Sequence, residues 1–186
     1  MNGATIKKTI SHLMSVLKLF RPINTFAFDV DGVLTDGNIL VLEGGQLART
    51  MNIKDGYALQ LAVKKGYHIL VISGAVAEPV KSRLHKLGIQ DVFMGVENKL
   101  SKLTEYLNEK KLQWDQLLYM GDDIPDREVM LKSALPCAPA DAAAEIREIS
   151  KYISTSRGGE GCVRDVIEKV LKLKGDWELD TTVSSR

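Results

Sequence analysis

Two carboxylates stand two residues apart directly behind an apolar run in the first quarter of the chain. In the segment FDVDGVLTDG, residues 28–37, these are Asp29 and Asp31. Two carboxylates this close repel each other unless a cation or a proton lies between them. The same pattern also fits a tight turn or a helix cap, so the pair alone does not decide between chemistry and local structure.

A second acidic cluster, GDDIPD at 121–126, also follows an apolar run and contains Asp122, Asp123 and Asp126. If both runs are strands of one parallel sheet, their carboxyl ends meet at the same edge and the two acidic groups converge there. Oxygen ligands of this kind suit a hard divalent cation, and Mg2+ is the usual one where phosphate is also bound. We therefore expect Mg2+ as the cofactor.

Two further segments offer groups that bind phosphate. Ser73 and Gly74 follow an apolar run and supply a hydroxyl and backbone N–H groups, while Lys99 stands at the predicted start of a helix. Hydroxyl, backbone N–H and ammonium groups at such positions stabilise phosphate oxygens. Each group alone is commonly structural, but together with the acidic clusters they favour a phosphate site.

Helical and β-rich patterns alternate along the chain and predict how these residues are positioned. Strands are predicted at 24–30, 67–73, 90–96 and 116–122, and helices at about 56–65, 76–87, 99–110, 125–133, 141–149 and 161–173. Buried strands joined by helices form a parallel sheet that is covered on both faces. We therefore predict a doubly wound, Rossmann-like α/β fold.

The interval between the first strand and the first helix breaks this alternation. Residues 31–55 have no helical period, and two short strands around Gly44 and Gly45 predict a β-hairpin flap beside the end of the first strand. This interval, and the one from Ser73 to Lys99, is too short for a separate cap domain. A pocket would therefore be shaped by the flap and by neighbouring subunits.

The chain divides into three parts. Residues 1–23 form an N-terminal extension whose apolar spacing predicts an amphipathic helix, residues 24–173 form the α/β domain, and residues 174–186 form a tail that we expect to be loosely ordered. The extension lacks a continuous apolar segment, which argues against a secretory signal or a membrane span.

The charge balance and the cysteine content indicate which partners and which compartment to expect. The chain has 186 residues, with 25 Lys and Arg against 24 Asp and Glu, and a formal net charge of +1 at pH 7. This balance lacks the one-sided field that holds nucleic acid or an anionic membrane, so we expect neither as a partner. The two cysteines, Cys137 and Cys162, have no zinc-ligand or disulfide-scaffold spacing and indicate a reducing compartment, so we expect a cytoplasmic protein.

The order of these groups resembles the haloacid dehalogenase superfamily of phosphohydrolases over residues 24–172. The matching motifs are Asp29-x-Asp31-Gly-Val-x-Thr-Asp36-Gly37, Ser73-Gly74, Lys99 and Gly121-Asp122-Asp123-x-x-Asp126. The segments VDGVLTDG, NIKDGYALQLA, GVENKLSKL and RGGEGCVRDVIEKVL are similar to the cap-less branch of 3-deoxy-D-manno-octulosonate 8-phosphate phosphatases and their relatives that act on 9-phosphorylated nonulosonates.

This resemblance implies a Mg2+-dependent phosphatase. Asp29 would be the nucleophile that becomes an aspartyl phosphate, and Asp31 would protonate the leaving oxygen and then deprotonate the attacking water. Asp29, the backbone carbonyl of Asp31 and Asp122 would hold Mg2+. Asp123 and Asp126 would steady the metal's waters and Lys99.

Phosphoryl charge would be stabilised by Ser73, Gly74 and Lys99. A substrate pocket is expected at four less specific positions, which are Lys54, Asp55, Arg157 and Arg164. Lys54 and Asp55 fit an ordinary helix start equally well. The branch also implies a homotetramer in which the hairpin and a neighbour's tail close each site.

Two departures weaken the inference about the sugar. Ala75 stands after Ser73-Gly74 where octulosonate phosphatases often carry arginine and some nonulosonate phosphatases carry glutamate, and Glu160 replaces an arginine seen in some octulosonate enzymes. The substrate expected first is a phosphorylated eight-carbon keto sugar acid used in lipopolysaccharide or capsule synthesis. A 9-phosphorylated nonulosonate, another small phosphate ester, and a non-catalytic sugar-acid-binding module remain as alternatives.

Overall fold

The computed structural model describes residues 16–178, 180 and 182–183. The strands in this part of the chain are β1 (Thr25–Phe28), β2 (Leu40–Val41), β3 (Leu47–Ala48), β4 (His68–Ile72), β5 (Asp91–Phe93), β6 (Leu117–Met120), β7 (Leu135–Ala138) and β8 (Tyr152–Ile153). A helical segment at 16–20, called α1, is followed by α2 (Ile53–Lys64), α3 (Glu78–Lys86), α4 (Lys99–Lys110), α5 (Arg127–Lys132), α6 (Ala144–Ile149) and α7 (Cys162–Lys174). None of these helices is long and apolar enough to cross a membrane.

Six strands form one parallel sheet in the order β5-β4-β1-β6-β7-β8. The chain starts in the middle at β1, winds outward through β4 and β5, and then crosses back to β6. The doubly wound α/β fold predicted from the sequence is confirmed. In a sheet of this order, ligands bind beyond the carboxyl ends of the strands on either side of the crossing point.

Alternating side chains give the sheet two buried faces. Phe26 and Phe28 of β1 lie in the core cluster formed with α2, α3 and α7. Ala27 lies in the opposite cluster, which is formed with α4, α5 and α6. Both faces of β1 are therefore dry, and the strand is rigidly held up to the residue before Asp29.

Two strands at one edge of the sheet were not predicted. Pro136 lies inside β7, and proline has no N–H to donate to a strand ladder, so the segment lacks the usual β-rich signature. β8 has only two residues. A run this short carries no measurable period in the sequence.

The predicted flap is present as an antiparallel pair, β2 and β3. Its apolar side chains point outward: Leu40 is 62 % exposed, Val41 69 % and Leu47 51 %. No cap domain is inserted between β1 and α2 or between β4 and α4.

The described part of the tail is folded back onto α2, which differs from the loose tail that we expected. Tyr67 donates a 2.6 Å hydrogen bond to Asp176, and the ring of Trp177 lies 6.0 Å from that of Tyr57. Lys64 pairs with Asp180 at 2.6 Å. At the other end, Phe20 is fully buried in the core, while residues 1–15 of the predicted N-terminal helix lie outside the described residues.

Candidate active site

A cleft of about 520 Å³ opens at the carboxyl ends of three neighbouring strands, β4, β1 and β6. These strands deliver Ser73, Asp29 and Asp122 to its floor. The cleft is lined by Asp29, Asp31, Gly37, Ser73, Gly74, Ala75, Val96, Glu97, Lys99, Asp122, Asp123, Pro125 and Asp126. The structure thus brings together all of the residues predicted for phosphoryl transfer and metal binding.

The loop after β1 reverses direction within a few residues. The backbone N–H of Thr35 donates to the carbonyl of Val30 at 3.0 Å, and Gly32 has a φ of +87°. A Cβ atom on Gly32 would lie 2.0 Å from Oδ2 of Asp122. Glycine is therefore required here for its positive φ and for the close approach of the Asp122 carboxylate.

Lys99 joins the two acidic motifs. Its Nζ atom donates to Oδ1 of Asp29 at 2.8 Å and to Oδ1 of Asp126 at 2.7 Å. All three residues are buried. Burial opposes the charge on Lys99, but the carboxylates of Asp126 and Asp29 outweigh it, so the pKa of this lysine is raised and it remains a cation.

Asp126 is the hub that holds Lys99. Besides the lysine, it accepts a 2.6 Å hydrogen bond from the hydroxyl of Tyr119 and a 3.3 Å bond from the backbone N–H of Asp122. A Cβ atom on Gly121 would lie 2.4 Å from the side chain of Asp126, so a side chain there would displace it. Tyr119 is fully buried and was not identified from the sequence.

Two carboxyl groups at the floor of the cleft have raised pKa values. Burial, followed by repulsion from Asp126, raises the pKa of Asp29 to about 6. Burial, followed by repulsion from Asp29 and Asp126, raises the pKa of Asp122 to about 7. These carboxylates therefore hold their negative charge at a cost that a bound cation would offset.

The donor set fits a hard divalent cation. One carboxylate oxygen from each of Asp29, Asp122 and Asp126 lies within 4.8 Å of the other two. Both oxygens of Asp126 already accept hydrogen bonds, Oδ1 from Lys99 and Tyr119 and Oδ2 from the backbone N–H of Asp122. Lys99 contacts only Oδ1 of Asp29, so the oxygens left for a cation are Oδ2 of Asp29 and those of Asp122. An all-oxygen set of this kind is the set that Mg2+ prefers.

Asp31 is held by an arginine that the sequence analysis missed. Arg49 follows β3 of the flap, and its Nε and Nη2 atoms donate to Oδ1 and Oδ2 of Asp31 at 2.6 Å and 3.1 Å. The side chain of Arg49 is only 7 % exposed. The sequence offered one indication of this contact, which is that Arg49 directly follows the second predicted strand of the flap.

Two other residues of the cleft, Ser73 and Asp123, differ in their exposure to solvent. Ser73 is buried, and its Oγ atom accepts a 3.1 Å hydrogen bond from the backbone N–H of Ala75, which fixes the turn through Gly74. Asp123 lines the cleft and is exposed. Its carboxylate can therefore meet water or a ligand without any rearrangement of the fold.

The four residues predicted for the substrate pocket do not line this cleft within one chain. Lys54 is exposed in the first turn of α2, where Asn52 provides the N-cap. Arg157 is exposed and pairs with Asp141 at 3.2 Å. Arg164 pairs with Glu168 and lies 5.3 Å from the ring of Trp177.

Asp55 is buried where α2 meets the start of α7. Its Oδ1 atom accepts a 2.7 Å hydrogen bond from the backbone N–H of Arg164, in the first turn of α7, while Oδ2 has no hydrogen-bond partner. Burial raises the pKa of Asp55 to about 6. This residue therefore ties α2 to the start of α7.

The glycine-rich turn before α7 packs directly on the loop after β1. The N–H of Gly159 donates to the carbonyl of Val33 at 2.9 Å, and a Cβ atom on Gly158 would lie 2.0 Å from the carbonyl oxygen of Gly32. In this chain the glycines support the loop that carries Asp31.

The chain aligns with known phosphatases over most of its length. The 3-deoxy-D-manno-octulosonate 8-phosphate phosphatase of Escherichia coli K12 is 33 % identical over 153 residues, which cover 82 % of this chain and 81 % of that protein. The chain belongs to this phosphatase family of the haloacid dehalogenase superfamily. The enzyme of Yersinia pestis is 33 % identical over 156 residues, covering 84 % of this chain and 83 % of its own length. No family model matches the chain.

Solved structures of the family have the same fold. The Moraxella catarrhalis 3-deoxy-D-manno-octulosonate 8-phosphate phosphatase, crystallised with magnesium, phosphate and the sugar acid KDO, is 30 % identical with a TM-score of 0.82, covering 85 % of this chain and 91 % of that one. The Yersinia pestis enzyme is 30 % identical with a TM-score of 0.84, covering 87 % of both chains. Membership of this phosphatase family makes the chain a hydrolase of phosphate esters.

The two departures from the family pattern lie in different surroundings. Ala75 lines the cleft of this phosphatase, directly beside Ser73 and Gly74. Glu160 is exposed in the glycine-rich turn. Ala75 is therefore placed to affect the choice of substrate, whereas Glu160 does not line the cleft of its own chain.

Proposed function

We propose that this chain is a Mg2+-dependent phosphomonoesterase that hydrolyses 3-deoxy-D-manno-octulosonate 8-phosphate to the free sugar acid and phosphate. The observation that carries the proposal is the buried Asp29–Lys99–Asp126 group beside Asp122, in a chain that is 33 % identical over 153 residues to a phosphatase for that ester. Carboxylates and a cation in this arrangement suit phosphoryl transfer.

Asp29 is the nucleophile in this proposal. It is the first residue after β1 and lines the cleft, and its Oδ1 atom is fixed by Lys99. A carboxylate oxygen of Asp29 forms a bond to phosphorus while the bond from phosphorus to the sugar oxygen breaks. Water then attacks the phosphorus of the aspartyl phosphate, which releases phosphate and restores the carboxylate.

Asp31 moves the protons. Its carboxyl gives a proton to the departing sugar oxygen and then takes one from the attacking water, so it returns to its starting state after each cycle. Its side chain is 30 % exposed, compared with 9 % for Asp29. The more accessible carboxyl is the better placed to exchange a proton with a leaving group or with water.

The phosphoryl oxygens are bound by Ser73, Gly74 and Lys99, which all line the cleft. Asp29, Asp122 and the backbone carbonyl of Asp31 would hold Mg2+, which when bound neutralises charge on the phosphoryl group. Asp126 keeps Lys99 in place, and the exposed Asp123 orders water around the metal site.

Phosphate release from a panel of esters tests the substrate. With Mg2+ present, we expect the highest kcat/KM for 3-deoxy-D-manno-octulosonate 8-phosphate. The panel also includes a 9-phosphorylated nonulosonate, because Ala75 leaves room beside Ser73. A higher kcat/KM for the nonulosonate would keep the chemistry but change the substrate, and turnover of neither ester would overturn the proposal.

We also infer a homotetramer built through the flap. Ile39, Leu40, Val41 and Leu47 are between 45 % and 69 % exposed on the flap, and exposed apolar groups that lie close together mark an interaction surface. Val41→Asp should reduce the sedimentation coefficient to that of a smaller species, whereas Leu131→Asp, on α5 and 55 % exposed, should not. Such a tetramer would bring a neighbour's Arg157 or Lys54 near a cleft that these residues do not reach in their own chain.

Two buried free cysteines support a cytoplasmic location. Cys137 and Cys162 are both unpaired and fully buried. Reduced thiols are the usual state in the cytoplasm. Fractionation of cells that produce the tagged protein would test this, and recovery in an oxidising compartment would contradict it.

A further inference from the structure

Arg49 connects the flap to the catalytic loop. Arg49 directly follows β3. Most residues of the flap are exposed, yet the side chain of Arg49 is only 7 % exposed. Its guanidinium binds both carboxylate oxygens of Asp31, at 2.6 Å and 3.1 Å. A two-point contact of this kind is among the stronger ion pairs in proteins and fixes the relative orientation of both groups.

This pair stands between two clefts. Asp31 lines the cleft that contains Ser73 and Lys99, whereas Arg49 lines a second cleft of about 740 Å³ between the flap and the start of α3. The clefts adjoin again at Ala75, which lines the first, and Val76, which lines the second. A molecule whose phosphate is bound in the first cleft can therefore extend past Arg49 into the second.

The pair has to open during the proposed reaction. A protonated carboxyl is no longer an anion and one of its oxygens becomes an O–H donor, so the proton-carrying form of Asp31 cannot keep both charge-assisted contacts with the guanidinium. Opening leaves a largely buried guanidinium without its partner, which is costly unless another anion replaces the carboxylate. The substrate class proposed above brings such an anion, since its sugar part carries a carboxylate.

We propose that Arg49 is a specificity-determining residue that exchanges Asp31 for the carboxylate of the bound sugar acid, so that an acidic leaving group frees the proton donor. This inference rests on the proposed function and names the group that selects its substrate. In the proposed reaction the phosphate is bound by Ser73 and Lys99, which line the first cleft and do not line the second, where Arg49 lies. Arg49 therefore binds the sugar part of the ester and not its phosphate.

The test compares two esters with the same type of leaving oxygen. We would measure kcat/KM for 3-deoxy-D-manno-octulosonate 8-phosphate and for glucose 6-phosphate, which has no carboxylate but also releases a primary alcohol. Arg49→Met should lower the ratio of the two values by about 30-fold, and Arg49→Lys should restore part of it. Arg147→Met, an exposed arginine on α6, is the control and should leave the ratio unchanged.

A binding measurement separates this inference from the proposed function. In calorimetric titrations with Mg2+ present, Arg49→Met should weaken binding of the free sugar acid by about 30-fold and leave binding of inorganic phosphate within about threefold. Equal losses for both esters, or unchanged sugar-acid binding, would overturn the role of Arg49. A wild-type protein that binds the sugar acid through Arg49 but releases no phosphate would overturn the proposed function alone.

Discussion

The Nζ atom of Lys99 lies 2.8 Å from Oδ1 of Asp29, although the two residues are 70 positions apart in the chain. Lys99 also binds Asp126, so one ammonium group is shared by two buried carboxylates. With Asp122 beside them, the floor of the cleft holds three carboxylates and one ammonium group, which leaves an excess of negative charge. The site can therefore bind a negatively charged phosphate ester only together with a cation that offsets this excess of negative charge.

Replacing Lys99 should impair catalysis strongly. Lys99→Met removes the cation that faces the phosphoryl oxygens and leaves Asp29 and Asp126 without their partner. We expect kcat to fall because the activation barrier rises by about 2–4 kcal/mol, which is the scale of losing one oxyanion-hole donor. Lys102→Met on the same helix, which removes a partly exposed pair with Glu105 and a contact with the ring of Phe93, is the control. Equal kcat values for the two variants would contradict this role of Lys99.

Replacing Gly32 should disturb the metal site. In Gly32→Ala, the new methyl group would lie 2.0 Å from Oδ2 of Asp122. Gly44 is a matched control, because its φ of +84° is almost the same and no atom lies within 4 Å of its added Cβ. Both variants should lose about 1–2 kcal/mol of stability from the positive φ. A Mg2+ titration should show weaker binding in Gly32→Ala alone, and equal affinities would refute the steric argument.

Tyr119→Phe should loosen the support of Lys99 without creating a cavity. The change removes the 2.6 Å hydrogen bond to Asp126 but keeps the ring in the core. We expect the free energy of unfolding to fall by about 1–2 kcal/mol, measured by urea denaturation. A smaller decrease in kcat than in Lys99→Met should accompany it. Unchanged stability would show that this hydrogen bond contributes nothing.

Mg2+ should stabilise the protein more at high pH than at low pH. The pKa values of Asp29 and Asp122 are raised to about 6 and about 7 in the metal-free fold, above the ordinary value of 3.8. Protonation therefore stabilises that fold fully below the ordinary value, and this contribution is lost as the pH rises through about 6 to 7. Mg2+ requires the ionised carboxylates, so it competes with the protons.

Thermal unfolding checks this dependence. The increase in Tm caused by Mg2+ should be at least about twice as large at about pH 8 as at about pH 5.5. In Asp122→Asn the increase should be small at both pH values. An increase that is independent of pH in the wild type would show that these carboxyls are not the metal ligands.

The location of the cleft was predictable because long apolar runs mark the strands that carry it. Asp29, Ser73 and Asp122 follow β1, β4 and β6, which are neighbours in the sheet. The rule that strand ends converge then places the three side chains together without any knowledge of side-chain geometry. The acidic and phosphate-binding groups are the part of the site that this rule covers.

Contacts made by the flap and the tail were not predictable. The pairing of Arg49 with Asp31 depends on how β3 folds back across the cleft, and no local period sets that angle. The polar tail is typical of disorder, yet Trp177 packs against Tyr57 and Asp176 binds Tyr67. Asp55 fits a helix start, but its carboxylate bonds to the backbone of α7. Each of these contacts joins segments that are distant in sequence and is decided by tertiary packing.

The most direct test of the role of Asp29 is phosphate release from 3-deoxy-D-manno-octulosonate 8-phosphate by the wild type and by Asp29→Asn, with Mg2+ present. Asparagine has nearly the same shape but cannot form the aspartyl phosphate. We predict Mg2+-dependent release by the wild type and its complete loss in a folded Asp29→Asn variant. Release at the wild-type rate by Asp29→Asn would contradict the assignment of Asp29 as the nucleophile.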